Sequence, residues 1–306
     1  MKVLIVASGN SAVISPFVKE QGDSLKEIGL DIDYFLIKGK GITGYLKNYF
    51  NLIRLVKNNT YDIIHAHYGL SGLLATFQSH VPVVITFHGS DVNLNRTNFY
   101  LSFLASRLSN ANIFVHESLS KKLSLFSDKA EIIPCGVNLN LFKPIDKLAS
   151  RDKLGLDHNY NYVLFSSSFN NKIKNAALAK LALSNFENII LLEMKGYSRE
   201  EVHLLMNAVD ILIVTSHSET GPLVVKEALA CNCPIISTDV GDVKELANGT
   251  KNCYIVEYDA KQIEQRIRDI LSSNKKSDGR AAVEHLSLEK VATDVYSVYQ
   301  KVLKKI

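Results

Sequence analysis

Two rhythms of apolar and polar positions alternate along this chain. Short runs rich in Val, Ile and Leu are separated by longer stretches in which apolar residues return every three or four positions. The short runs predict β-strands at 2–7 (KVLIVA), 32–37 (IDYFLI), 62–66 (DIIHA), 83–87 (VVITF), 112–116 (NIFVH) and 130–134 (AEIIP). After a break they resume at 162–167 (YVLFSS), 188–193 (NIILLE), 211–216 (ILIVTS), 234–239 (PIISTD) and 252–257 (NCYIVE). Continuously apolar strands bounded by helices indicate parallel sheets covered on both faces. Residues 135–161, between the two groups, show two turn-like stretches and no strand. A domain boundary is expected within 145–160, with a doubly wound α/β domain on each side. A last amphipathic helix is predicted over 287–303.

Composition agrees with this picture. A length of 306 residues accommodates two domains, each large enough for a full core. Hydrophobic residues at 46% and charged residues at 22% exclude a disordered, collagen-like or coiled-coil chain. Four cysteines are too few for a disulfide scaffold and fit a reducing compartment. No apolar run approaches the ~18 residues of a membrane span. The start, MKVLIVASGN, has one Lys and a short apolar run, so it reads as a strand and not as a signal peptide. A cytoplasmic protein is expected.

The net charge of +4 is too mild to imply nucleic acid, and no nucleic-acid partner is expected. Its distribution says more. From Tyr34 to His116 the only acids are Asp62 and Asp91, against Lys38, Lys40, Lys47, Arg54, Lys57, Arg96 and Arg107. The stretch also carries five of the nine histidines. It reads either as a site for an anionic ligand or surface, or as a solvated basic face.

The richest chemistry lies in ILIVTSHSETGPLVVKEALACNCPIISTDVGD, residues 211–242. A strand ends at Ser216, a polar loop follows, and Pro222 fits the first turn of a helix that runs to Cys231. A helix N-terminus at the C-terminal edge of a parallel sheet is a place for phosphate. Glu219 precedes this helix and Glu227 lies inside it, roughly 12 Å away if the eight residues between were helical. Carboxylates repel phosphate but accept strongly from hydroxyls. A nucleoside diphosphate sugar has hydroxyls at both ends and fits that spacing. Two acids that merely favour a helix N-terminus are the plain alternative.

The segment SETGPLVVKEALACNCPIISTDVGDVKE resembles the E-x7-E region of retaining glycosyltransferases of family 4, which have the GT-B fold. DIIHAHYGLSG and VVITFHGSD resemble that family's acceptor-domain strands and loops. IIPCGVNLNLFKP resembles its interdomain segment, and LFSSSFNNKIKNAALA its phosphate-binding loop. The resemblance implies two Rossmann-like domains facing a cleft. These would be an acceptor-binding domain at 1–148, completed by a returning helix at 287–306, and a compact donor-binding domain at 149–286. It implies that Glu227 binds the ribose and Glu219 the donor sugar. The backbone of Thr220, Gly221, Pro222, Leu223 and Val224 would hold the diphosphate, and Lys174 would neutralise charge on it. His88 would lie near the reacting centre, and Gly9 would let a loop approach the diphosphate. The plain alternatives are a solvated Lys174, a core His88 and a turn at Gly9. The donor would be a UDP- or GDP-sugar, and the acceptor a glycan or lipid-linked molecule of cell-surface polysaccharide assembly. No metal or other cofactor is expected.

Three departures stand out. Thr220 occupies the place where the family has Gly. SSSFNN lacks the Arg that precedes the family's Lys, and Lys172 is its only local substitute. Residues 187–210 pass from strand to strand through a single helix, where longer members place an extra strand–helix unit. The first two departures leave open a non-catalytic GT-B subunit that supports a partner enzyme. Strand one leads into ASGNSAVISP, without G-x-G-x-x-G, which disfavours a dinucleotide oxidoreductase. Asp239–Asp242 reads as a helix-start turn, and Cys231 and Cys233 as core thiols. Residues 42–58 form a candidate amphipathic helix. Tyr45, Leu46, Tyr49, Phe50, Ile53 and Val56 are expected on one face and Lys47, Asn48, Asn51, Arg54 and Lys57 on the other. It would either pack on the sheet or touch an anionic membrane.

Overall fold

The computed structural model describes residues 1–10, 14–39, 41–123 and 130–305. Lys40, counted in the basic stretch, lies outside them, as do 11–13 in the segment after the first strand. The chain divides into two units, Met1–Gly136 with Leu288–Ile306, and Val137–Ser287. The division thus falls earlier in the sequence than the expected 148/149.

The first unit holds a six-stranded parallel sheet. Its strands are β1 (Lys2–Ser8), β2 (Asp31–Ile37), β3 (Ile63–His67), β4 (Val83–Phe87), β5 (Ala111–Phe114) and β6 (Ala130–Ile132), in the order β2-β1-β3-β4-β5-β6. Strands β3, β4 and β5 are buried at every residue, including the polar His65, His67, Thr86 and Asn112. One face is covered by the helices Gly41–Asn58, Gly69–Thr76 and Arg96–Leu108, with Leu52, Leu74 and Ala105 in a shared core. The other face takes the helix Pro16–Glu27 and the last helix, Leu288–Leu303. Val291, Val295, Val298, Tyr299 and Val302 of that last helix complete this core. Tyr299 is fully buried, and its hydroxyl bonds His65 Nδ1 at 2.6 Å.

The second unit holds a five-stranded parallel sheet. Its strands are β7 (Asn161–Phe165), β8 (Ile189–Glu193), β9 (Ile211–Val214), β10 (Ile235–Thr238) and β11 (Cys253–Val256), in the order β11-β10-β9-β7-β8. The segment from β8 to β9 is a single helix, Arg199–Ala208, opened by a capping box between Ser198 and Glu201. Cys231 and Cys233 are core residues, and burial pushes both thiols up, that of Cys231 to about 12.

The stretch 135–161, expected to hold turns and no strand, also holds a helix, Lys147–Leu154. Asp146 caps it by accepting from Ala149 N at 2.8 Å, and Gly155 ends it. Its Arg151 is buried and pairs with Asp210 Oδ2 at 3.0 Å. One expectation needs correction at three positions of Gly41–Asn58: Leu46 and Phe50 are exposed and Asn48 is buried, whereas Tyr45, Tyr49 and Val56 pack inward and Lys47, Asn51, Arg54 and Lys57 are exposed as expected. Asn48 Nδ2 donates to the Lys38 and Gly44 carbonyls at 2.8 and 2.6 Å, which satisfies its amide inside the fold.

Replacing Tyr299 tests how far the last helix holds the first unit. Tyr299→Ala is expected to cost about 3–5 kcal/mol by loss of a buried ring. Tyr299→Phe should cost about 1–3 kcal/mol, because it keeps the ring and strands His65 Nδ1. Urea denaturation of the two variants measures both, and equal costs would refute this division.

Candidate functional site

In the second unit the predicted residues gather at the C-terminal ends of β7, β9 and β10. Lys174 closes a short 3-10 turn, Lys172–Lys174, in the loop after β7. Thr215 Oγ1 fixes that turn by donating to the Lys174 and Asn175 carbonyls at 3.0 and 2.9 Å. His217 N also donates to Ile173 O at 2.8 Å, so the loops after β7 and β9 are joined by backbone as well as side chain. Lys174 Nζ then meets Glu219 Oε1 at 2.5 Å, and Ser216 Oγ donates to the same oxygen at 2.7 Å. Two residues 45 positions apart thus form one charged pair.

The helix Leu223–Ala230 starts directly after this pair, with Pro222 at its N-cap instead of inside the first turn. Its first N–H groups have no intrahelical acceptor by geometry and face the loop 219–222. The loop is clamped from behind. Thr238 Oγ1 and Tyr258 OH donate to Ser216 O at 2.8 and 2.9 Å. Gly241, at φ +57°, packs so close that a Cβ there would stand 2.9 Å from the Thr220 carbonyl. Beneath them the fully buried Lys226 pairs with Asp242 Oδ2 at 3.1 Å. The turn Asp239–Asp242 therefore serves as a buttress at the start of the helix Val243–Ala247.

Glu227 lies buried in the same helix as Lys226. Arg199 Nη1 reaches its Oε1 at 2.6 Å. Sequence reasoning missed Arg199. As the first residue of Arg199–Ala208 it sits at the end of a helix where a cation is disfavoured. That misplaced charge, and the guanidinium over the Phe142 ring at 4.7 Å, are the only local signals of its role. Lys226 was missed as well, because a Lys one position before Glu227 reads as solvated. Lys172 is exposed and is not part of the Lys174–Glu219 pair.

His88 and Gly9 belong to the first unit. A Cβ on Gly9 would stand 2.8 Å from Leu36 Cβ, and Gly9 N donates to Ile37 O at 2.8 Å, so the chain runs tight against β2 there. His88 follows β4. Its Nε2 bonds His67 Nδ1 at 3.0 Å, and its Nδ1 faces Cys135 Sγ at 3.8 Å. Its backbone is held by the Asp91 carboxylate, which accepts from His88 N, Gly89 N and Gly69 N at 3.2, 2.8 and 3.0 Å. His65 stacks behind His67 and bonds Thr86 Oγ1 at 2.7 Å. Burial is the main cause that holds the His67 ring down to about 3 and those of His65 and His88 well below the ordinary value. His67 adds a smaller electrostatic push on the other two.

Comparison with known proteins follows this geometry. The family model for glycosyl transferases group 1 matches residues 187–282, and that for glycosyltransferase family 4 matches 11–141. An uncharacterized glycosyltransferase of Methanocaldococcus jannaschii is 25% identical over 300 residues, covering 87% of this chain and 83% of that protein. A putative teichuronic acid biosynthesis glycosyltransferase of Bacillus subtilis is 26% identical over 60% of this chain and 55% of that protein. A D-inositol 3-phosphate glycosyltransferase of a Mycobacterium species is 27% identical over 74% of this chain and 62% of that protein. The chain therefore spans less than two thirds of the latter two. Among solved structures, sucrose-phosphate synthase of Thermosynechococcus elongatus matches over 100% of both chains, with a TM-score of 0.83 at 16% identity. Anabaena HepE in complex with UDP-glucose matches over 100% of this chain and 99% of that one, with a TM-score of 0.72 at 14% identity. The two parallel-sheet units are those of the GT-B fold, and the sequence relatives named above are glycosyltransferases.

The buried histidines predict how stability depends on pH. Folded, they stay neutral. Unfolded, each takes up a proton below about 6.5. Stability is fully present above that value and is lost as pH falls from it toward the folded values, by about 1.4 kcal/mol per pH unit per histidine. Urea midpoints should therefore drop between about pH 7 and about pH 5, and His67→Asn should make the drop shallower. A flat profile would contradict the burial.

Proposed function

We propose that this glycosyltransferase of GT-B type moves a sugar, with retention of configuration, from a nucleoside diphosphate donor to a glycan or lipid-linked acceptor in cell-surface polysaccharide assembly. The Lys174–Glu219 pair, set at the start of Leu223–Ala230, carries the reading. A diphosphate against this helix start would meet the backbone N–H groups of residues 220–224 and the Lys174 ammonium. Negative charge grows on the diphosphate as the glycosidic bond breaks, and these groups are aimed at it. Glu219 is left to accept from hydroxyls of the transferred sugar, and Glu227 from those of the ribose, its position set by Arg199. The segment 187–282, matched by the group 1 model, contains both glutamates and Arg199.

Retention is taken from the family resemblance: the acceptor oxygen bonds the anomeric carbon on the face from which the diphosphate departs, the bond to the diphosphate breaks, and the acceptor's proton passes to the departing diphosphate. The charge is handled by Lys174 and backbone N–H groups, so no metal enters the proposal. UDP is the favoured nucleoside diphosphate, by analogy with HepE, whose structure holds UDP-glucose. The teichuronic acid relative favours the polysaccharide role. We place the reaction in the cytoplasm, in keeping with a sequence of only four cysteines.

A panel of UDP- and GDP-sugars, with release of the nucleoside diphosphate followed by mass detection, tests the proposal. Glu219→Ala and Lys174→Ala are each expected to lower kcat by about 10²–10³-fold with folding intact. Glu227→Ala should act mainly on KM, by removing ribose binding shared by ground and transition states. If the folded chain releases nothing from any donor, the supporting-subunit reading replaces the enzyme.

A further inference from the structure

We propose that a cavity of about 190 Å³ in the first unit, walled by Tyr45, Tyr68 and Asn98, seats one uncharged sugar ring, the terminal pyranose of the acceptor. That this sugar is the acceptor rests on the transfer reading above; that the cavity takes a neutral sugar does not. All of its walls belong to the first unit. It lies at the C-terminal ends of β3 and β4, where Tyr68 follows the first strand and Ser90 and Asp91 the second. Helices Gly41–Asn58 and Arg96–Leu108 contribute Tyr45 and Asn98.

Tyr68 is held in a costly conformation. Its φ of +72° and ψ of +146° lie where residues with a side chain are seldom found, and such strain gathers where a ligand is held. The backbone is fixed on both sides. Tyr68 N donates to Thr86 O at 2.9 Å, and Gly69 N donates to Asp91 Oδ2 at 3.0 Å. The ring then packs on His88, centroid to centroid 4.7 Å. The Tyr68 and Ser90 hydroxyls and the Asn98 side-chain amide have no hydrogen-bond partner among the described residues, yet none is a buried orphan. They are accessible and open to a ligand.

Charge and size narrow the occupant. No Lys, Arg or His lines the cavity among the described residues, and the exposed Lys47, Arg54, Lys57 and Arg96 of the basic stretch are not among its walls. The one charged wall residue, Asp91, already accepts from His88 N and Gly89 N with Oδ1 and from Gly69 N with Oδ2. A phosphate or uronate would lose water there beside that carboxylate and gain no cation. An alkyl chain would suit Leu70, Leu94 and Leu101 but would cover the Asn98 amide and the Tyr68 hydroxyl without pairing them. A pyranose offers C–H faces to the rings and leucines, and hydroxyls to the amide and phenol. Pockets for drug-sized molecules run to ~300–1,000 Å³, so this one suits a single ring.

Saturation-transfer NMR on the full chain tests this. The probes are methyl pyranosides of glucose, galactose, mannose and N-acetylglucosamine, set against methyl glucuronide, glucose 6-phosphate and octanol. At least one neutral pyranoside should bind, and the two anions and octanol should fail to displace it. Tyr68→Gly keeps the backbone conformation and removes the ring, and should weaken binding by about tenfold or more. Asn98→Ala leaves the ring in place and should weaken it roughly fivefold. Circular dichroism checks that both variants fold. The proposal is overturned if no neutral pyranoside binds, if an anion or octanol takes its place, or if Asn98→Ala binds as the parent does. Titration of the parent chain with UDP keeps the two readings apart. Pyranoside binding without UDP binding upholds the sugar subsite and refutes the donor site, whereas UDP binding without pyranoside binding does the reverse.

Discussion

A fully buried ammonium must be paired, and in the second unit that requirement organises the site. Lys226 has no exposed surface and finds Asp242 across the sheet edge. The pair ties the helix after β9 to the turn after β10. With that turn in place, Gly241 lies against the Thr220 carbonyl and limits where the loop 219–222 can go. Glu219 is then delivered to Lys174, and Glu227, next in line to Lys226, is delivered to Arg199. Removing one member of a buried pair leaves the other charged and uncompensated, so neighbouring loops have no cheap way to rearrange. The loop carries Thr where relatives of the resembled family carry Gly, and it is shaped by packing from Gly241 instead.

The first unit solves a related problem with neutral groups. His65, His67 and His88 are held in a line from Tyr299 to Cys135 by hydrogen bonds and ring contacts, with burial keeping them uncharged. Asp91 supplies the compensation for strained loops after β3 and β4, where Tyr68 and Gly89 have φ of +72° and +110°. Three N–H groups on one carboxylate explain why an acid survives inside the most basic part of the chain.

Sheet content was legible because most strands are short runs dominated by apolar residues, and all eleven expected strands are present with their ends shifted by a few residues. The loop and helix expected around Glu219 and Glu227 are also present, the helix as Leu223–Ala230. What failed to read was pairing at a distance. Arg199 and Lys226 are written as ordinary surface residues, and only the fold supplies the carboxylates that retain them. The helix Lys147–Leu154 lies among turn residues that dominate the local pattern, although Asp146 and Gly155 mark its ends. Three positions of Gly41–Asn58 depart from its hydrophobic pattern, because hydrophobicity alone does not decide burial. Asn48 is buried by its hydrogen bonds, whereas Leu46 and Phe50 are left outside.

The chain passes from the first unit to the second at Gly136–Val137 and returns at Ser287–Leu288. Val137 N donates to Leu286 O at 2.9 Å, so the two passages are pinned side by side within the second unit. During synthesis the first unit must wait for Val291–Val302 before its core is complete. Were the intervening stretch still a random coil, bringing its ends together would cost about 4 kcal/mol of chain entropy. A second unit that has already folded presents those ends as neighbours and removes that cost. A second unit that folds first would thus act as an internal template for the unit whose core is completed by the last helix.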